Sequence, residues 1–145
     1  MINIICMGKI KEKYLTDLIN DYKSRIEKYH KINIIELKDE NDIKSEARNI
    51  LKHIKPTDYV IACAIKGESF TSESLAKTID EIFIKTGNID FIIGSSEGLD
   101  DTIYERANRL ISFGTLTLPH GLFRGILLEQ IYRSFKINNN ETYHK

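Results

Sequence analysis

Apolar residues recur along this chain in two rhythms, short unbroken runs and helically spaced stripes, and the two alternate. Ile2–Met7 is a β-rich run closed by Gly8 and reads as a central strand. Leu15, Leu18, Ile19, Tyr22, Ile26 and Tyr29 then fall at helical spacing, which predicts an amphipathic helix over 14–29. Ile32–Leu37 repeats the strand pattern, and a charged connection over 38–43 follows. Ile43, Ala47, Ile50, Leu51 and Ile54 predict a helix over 42–54, ended by Lys55-Pro56 because a residue before proline resists helical geometry. Tyr59–Ile65 is apolar at nearly every position, as a strand covered on both faces must be.

Lys66–Ser69 reads as a turn, and Thr71 or Ser72 caps a helix whose inner face is Leu75, Ala76, Ile79, Ile82 and Phe83. Gly87-Asn88 ends that helix, and Ile89–Ile93 is another buried strand. The loop Gly94–Gly98 comes next, then a short helix capped by Asp100 and carrying Ile103, Tyr104 and Ala107. Leu110–Phe113 and Leu116–Leu118 are the last extended pieces, and Pro119 turns the chain into a helix over 122–137. The alternation predicts one α/β domain, residues 1–145, with a mostly parallel sheet flanked by helices.

The final helix is apolar on more than one stripe, through Leu122, Phe123, Ile126, Leu127, Leu128, Ile131, Tyr132 and Phe135. A helix apolar around most of its circumference has to be buried around most of it. A second subunit packed on this helix is the expected cover; a helix sunk inside the monomer is the alternative.

Charge narrows the partners. Lys+Arg and Asp+Glu both count 21, so the net charge is zero and an overall basic chain is excluded, which leaves a local patch as the only electrostatic route to nucleic acid. No apolar run approaches the ~18 residues of a membrane span, and the chain enters Ile2–Met7 without a charged leader, so a cytoplasmic location is expected. Cys6 and Cys63 lie inside apolar runs without CxxC spacing and read as small hydrophobes in a reducing compartment.

Three loops, Lys66–Ser69, Gly94–Gly98 and Gly114–Leu118, follow the ends of strands, where open α/β sheets bind ligands. None carries a G-x-G-x-x-G or P-loop pattern, so a nucleotide-phosphate site is disfavoured, while a cofactor held by backbone groups is not. Phe113–Arg124 is the stretch on which the chain converges: a strand-like piece, the Pro119 stop, and a helix start with free N–H groups. It carries His120 and, one turn on, Arg124, which could clamp a phosphate or a planar base; a surface imidazole and a surface ion pair would look the same. Glu97 precedes a helix, His30 and His53 sit at helix ends, and no cluster has metal-ligand spacing, so no metal is expected. The chain ends Tyr143-His144-Lys145, an aromatic, an imidazole and a cation that suit bases and phosphates, or a frayed end. Lys9, Lys11, Lys13, Arg124, Arg133, Lys136 and Lys145 would make a basic surface if folding brings them to one side.

Together, Leu116-Thr-Leu-Pro-His120, Ile93-Gly-Ser-Ser-Glu-Gly-Leu99, the opening Ile-Cys-Met-Gly-Lys with Glu12-Lys-Tyr14, Glu129-Gln-Ile-Tyr-Arg133 and Tyr143-His-Lys145 resemble the RlmH family, small SPOUT-class methyltransferases of ribosomal RNA. The resemblance covers essentially the whole chain in collinear order. It implies methylation of N3 of a pseudouridine in 23S rRNA on the ribosome, with S-adenosyl-L-methionine as donor and no metal. It also implies a homodimer, a SPOUT-type fold with a C-terminal trefoil knot, and no membrane or DNA partner. Carried onto this chain, the cofactor site comprises Cys63, Gly94, Phe113, Gly114, Thr115, Leu116, Thr117 and Leu118. His120 and Arg124 lie near the acceptor as catalytic residues, and Tyr143, His144 and Lys145 of a partner subunit complete the RNA site. The chain departs from the family at Ser95, where a second glycine is common, at Cys63, where a larger aliphatic residue is common, and in the short connection 38–43. A methyltransferase of the same class acting on tRNA and a non-enzymatic RNA- or nucleotide-binding dimer are the competing readings.

Overall fold

The computed structural model describes residues 1–144. In chain order the elements are β1 Ile2–Met7, α1 Lys13–Ile26, β2 Ile32–Leu37, α2 Ile43–Leu51, β3 Tyr59–Ser69, α3 Ser72–Lys85, β4 Ile89–Ile93, α4 Asp101–Arg106, β5 Arg109–Ser112 and α5 His120–Asn138. The strands form one sheet in the order β2-β1-β4-β3-β5, and every pairing is parallel.

Alternate residues of each strand serve opposite faces of the sheet. Ile4, Ile61 and Phe91 join Ile79, Leu127 and Ile131 in the core under α1, α3 and α5. Ile5, Val60, Ala62 and Ile92 join Ala47, Ile50 and Ile103 under α2 and α4. Burial on both faces is why β4 is apolar at four of its five positions, Ile-Asp-Phe-Ile-Ile. Side-chain caps start three of the helices: Asp42 accepts from Ser45 N–H at 2.8 Å, Thr71 shares a capping box with Ser74, and Asp100 accepts from Thr102 N–H at 3.1 Å.

Three features differ from the sequence expectation. The Lys66–Ser69 turn is instead part of β3: Cys63 and Glu68 both oppose Ile111, so residues 64–67 bulge out of the ladder before pairing with β5 resumes. Gly67 makes the bulge possible, since a Cβ there would lie 2.7 Å from the backbone carbon of Ile111. Leu116–Leu118 is not a strand; it has no pairing partner, and Leu116 is 79% exposed. The third concerns α5, which is sunk within the one chain between α1 and α3, with Leu127, Leu128 and Ile131 fully buried. Gly121 and Gly125 admit α1 closely, their missing Cβ positions lying 2.7 Å from Leu15 Cδ1 and 2.6 Å from Leu18 Cδ2. Most of the apolar surface on α5 is therefore used inside the chain, with Phe123 and Ile126 half-buried. Tyr14 and Leu122, neighbours of Leu15 and Gly121 at that crossing, stay exposed. Among the described residues no helix is long and apolar enough to cross a membrane.

Candidate active site

Because β4, β3 and β5 are adjacent and parallel, the segments that follow them leave the sheet at one edge. They enclose a cavity of about 900 Å³ walled by the β3 bulge, the Gly94–Gly98 loop and the segment from Phe113 to His120. Of the residues assigned to a cofactor from the sequence, Cys63, Gly94, Phe113, Gly114, Leu116, Thr117 and Leu118 all line it, while Thr115, exposed, is not part of its wall.

Each wall has a local cause. Gly94 leaves no room for a side chain: a Cβ would sit 2.7 Å from Gly98 O and 2.7 Å from Leu99 Cδ2. Gly98 closes that loop with φ +88° and donates its N–H to Ser95 O at 2.9 Å. Gly114 adopts φ +114°, and the Ser112 hydroxyl donates to Gly114 O at 3.1 Å while accepting from Gly114 N–H at 3.2 Å. Phe113 and Phe123 meet edge to face at 5.1 Å, an apolar wall that exposes no charge. Burial pushes the Cys63 thiol up to about 12, so it stays neutral and acts as a small apolar wall group, not a nucleophile.

A second cavity of about 810 Å³ abuts the first, and Ser95, Ser96, Pro119 and His120 line both. Its remaining walls include Gly8–Ile10 after β1, the connection 39–43, Glu46 and Arg124. His120, the first residue of α5, therefore stands at the junction. Its Nδ1 is buried without a hydrogen-bond partner among the described residues.

Arg124 is not where the sequence suggested. It is 1% exposed, and its guanidinium donates to Glu36 Oε2 at 2.7 Å, Gly8 O at 3.2 Å and Met7 O at 3.4 Å. Glu36 Oε2 also accepts from Ile10 N–H at 3.2 Å. Arg124 thus ties the end of β1 and the loop behind it to β2. With these acceptors engaged, it supports the wall of the second cavity instead of presenting a free fork to a ligand.

The C-terminal residues dock on their own chain. Tyr143 donates its hydroxyl to Glu129 Oε2 at 2.8 Å, and its ring packs edge-on against Tyr132 at 4.9 Å. His144 accepts from Arg133 Nη1 at 3.0 Å through Nδ1, which leaves Nε2–H to donate to Glu73 Oε1 at 2.6 Å. Neither Tyr143 nor His144 lines either cavity, and Lys145 lies outside the described residues. The anticipated basic surface is largely neutralised, for Lys13 pairs with Asp17, Arg133 with Glu129 and Lys136 with Glu141.

Lys66 belongs to one of the three loops marked as ligand-binding from the sequence, but the bulge that also brings Ile65 to the first cavity was not legible there. Ile65 and Lys66 reach it because the bulge lifts them from the ladder, and Lys66 Nζ sits 4.2 Å above the Tyr104 ring at the rim. The one available signal was Gly67 beyond a buried strand, which marks a bulge as readily as a turn.

The family model described as "Predicted SPOUT methyltransferase" matches residues 1–144. The chain is 48% identical to the Ribosomal RNA large subunit methyltransferase H of Clostridium botulinum (strain Kyoto / Type A2), over 99% of both chains. It is 45% identical to the protein of the same name from Clostridium acetobutylicum, again over 99% of both. Among solved structures it resembles a chain described as a probable methylase family protein from Haemophilus influenzae Rd KW20, with a TM-score of 0.60 at 13% identity, covering 99% of this chain and 70% of that one. At that identity the likeness speaks for the fold alone. The match over residues 1–144 and relatives close to half identical along their length carry the conclusion that the chain belongs to the SPOUT methyltransferase family.

Proposed function

We propose that the chain methylates N3 of a pseudouridine in 23S rRNA of the large ribosomal subunit, using S-adenosyl-L-methionine, as a cytoplasmic homodimer acting on the assembled ribosome. One observation carries the reading: an apolar cavity with glycine-lined walls opens beside a more polar one, and His120 stands between them. The names of the relatives, ribosomal RNA large subunit methyltransferase H, support the choice of RNA.

The residues of the first cavity suit an adenosine-bearing cofactor. Close approach at Gly94, the backbone groups of 115–118 and the Phe113 and Leu118 side chains would hold it. When bound, it supplies an electrophilic methyl group on a sulfonium. The task left to the protein is alignment of the acceptor nitrogen and relief of its proton. His120 orients the base at the junction and favours its deprotonated form. Arg124 acts at one remove, by fixing the Gly8–Ile10 wall against which the acceptor rests.

Since Tyr143 and His144 line neither cavity of their own chain, the same two residues of a second copy complete the RNA site, together with Lys145. Tyr14 and Leu122 lie at the α1–α5 crossing that the two copies would cover. The trefoil-knotted passage of the segment before α5 belongs to the same reading.

Tritium transfer from labelled S-adenosylmethionine to whole ribosomes, separated subunits, naked rRNA and tRNA tests it. Incorporation into ribosomes, mapped to a pseudouridine, is the expected result. Preferential labelling of tRNA would overturn the substrate, and calorimetry showing no heat with the cofactor would leave an RNA-binding dimer. Mixed dimers of His120→Ala and a chain truncated after Asn140 should regain activity; no recovery would overturn cross-subunit assembly.

A further inference from the structure

Glu46 is a carboxylate almost shut off from solvent, 5% exposed, in the first turn of α2. Its oxygens serve two separate donors: Oε1 accepts from Ser95 Oγ at 2.7 Å, and Oε2 accepts from Glu40 N–H at 3.3 Å. The Ser95 hydroxyl accepts in turn from Glu97 N–H at 3.3 Å. A charged acceptor behind the hydroxyl polarises it and strengthens the bond it receives. The Gly94–Gly98 loop has three small residues at its start and no ladder of its own beyond the Ser95–Gly98 bridge, so little else holds it.

Ser95 lines both cavities, as Ser96, Pro119 and His120 do, and Glu46 lines the second, so this hydrogen bond lies at the boundary between them. The neighbouring Gly94 has no slack, being packed against Gly98 O and Leu99. A shift of Ser95 therefore passes directly into the cofactor cavity wall.

We propose that Ser95 and Glu46 are positioning residues that hold the Gly94–Gly98 loop in the shape the cofactor requires. The inference rests on the cofactor reading above and goes beyond it, for neither residue need touch the cofactor. A buried carboxylate on a helix outside the cavity sets the geometry of a loop inside it.

The test is titration calorimetry with S-adenosylmethionine on wild type, Ser95→Ala, Ser95→Thr, Glu46→Gln, Glu46→Ala and the Ser95→Ala/Glu46→Ala double variant. Losing one charge-assisted bond that orders the loop should weaken binding about tenfold in Ser95→Ala. The loss should appear in the KM for the cofactor and not in kcat. Ser95→Thr keeps the hydroxyl and should stay near wild type, whereas Glu46→Gln offers one neutral acceptor to two donors and should fall between wild type and Glu46→Ala. The double variant should bind no more weakly than either alanine variant, because the two residues act as one unit. A Ser95→Ala affinity within twofold of wild type, or effects that add in the double variant, would overturn the proposal. Should Glu46→Ala fail to fold, the half-buried Ser95→Ala and Ser95→Thr pair decides alone. A wild type that gives no heat would instead overturn the cofactor reading, and this inference with it.

Discussion

Asp90 offers the sharpest test of how the sheet is built. It is 0% exposed on β4, close to Asp58 at the start of β3. Asn3 donates to Asp90 Oδ1 at 2.8 Å, while Oδ2 has no donor among the described residues. Asp58 is better served, accepting from Lys55 N–H at 2.9 Å and from Asn88 at 3.1 Å. Burial, and then the hydrogen bond and charge of Asp58, push Asp90 up to about 7; Asn3 and Arg106 pull the other way. Burial would raise Asp58 too, but the bonds from Asp90, Lys55 N–H and Asn88 outweigh it and hold that carboxyl below its ordinary value. Below about neutral pH the pair therefore shares one proton, held by Asp90. The Met1 ammonium, Lys31 and Arg106 are the nearby cations.

The sign follows from linkage. The folded pKa lies above the ordinary 3.8, so between those values the unfolded chain gives up a proton that the folded chain keeps. Stability falls as pH rises through that window, by a ceiling of ~4 kcal/mol at about 1.4 kcal/mol per unit. Hydration and Arg106 relieve part of this, so roughly 1–3 kcal/mol should be recoverable. Asp90→Asn abolishes the ionisation, keeps an oxygen for Asn3 and supplies an N–H for Asp58. At pH 8 it should raise Tm by several degrees, at about 3 °C per kcal/mol for a domain of this size, with the advantage shrinking to nothing near pH 4. Asp58 contributes in the opposite sense and only in the acid range, so the two windows separate. Scanning calorimetry from pH 4 to pH 8 measures the difference. A gain independent of pH, or a variant less stable than wild type at pH 8, would refute the shared proton.

Arg124→Ala removes the donors of Glu36, Gly8 O and Met7 O and should cost about 2–4 kcal/mol in chemical denaturation, somewhat below a fully buried pair because Glu36 reaches solvent. Arg124→Lys should recover the Glu36 pairing but not the fork, giving an intermediate value. Gly94→Ala should weaken binding of S-adenosylmethionine at least tenfold by calorimetry, since the added Cβ would lie 2.7 Å from Gly98 O and 2.7 Å from Leu99 Cδ2 and the loop must shift to admit it. Lys9, in the wall of the second cavity, and Lys11, exposed two residues on, should grip RNA phosphates. Replacing both by Ala should reduce the slope of log affinity against log salt by roughly 1.5 in filter binding to an rRNA fragment, and an unchanged slope would remove them from the interface.

β1, β2 and β4 carry the bounds predicted for them, because each is an apolar run set off by polar residues, and burial alone dictates it. Elements that depend on a distant partner were harder to read. The strand-like alternation of Leu116–Leu118 meets no neighbouring strand, and the end of β3 exists only because β5 lies beside Glu68 and Ser69. The apolar girth of α5 was plain, but not that α1 and α3 supply its cover. The sequence suggests Arg124 as a ligand clamp and gives no sign of its burial, since its acceptors lie 88 or more positions away. Asn3 and Asp90 did leave a trace: each is the polar residue in an apolar run, and the parallel register sets them side by side. Reading that trace required the strand pairing, which no periodicity supplies.

The buried charged groups among the described residues, Asp58, Asp90, Glu46 and Arg124, fall at the two ends of the sheet, and they do different work there. At the end where the strands begin, Asp58, Asp90 and Asn3 hold one another, so substitutions register as stability that changes with pH. At the other end, Arg124 with Glu36 and Glu46 with Ser95 each hold a loop. The Gly94–Gly98 loop opens on Gly-Ser-Ser, and a segment of small residues without a ladder or a packed core cannot fix its own shape. Anchors behind the wall must supply the rigidity that the wall lacks. Damage to Ser95 or Glu46 should therefore be felt first as lost affinity across the cavity, whereas loss of the buried Arg124 costs stability as well.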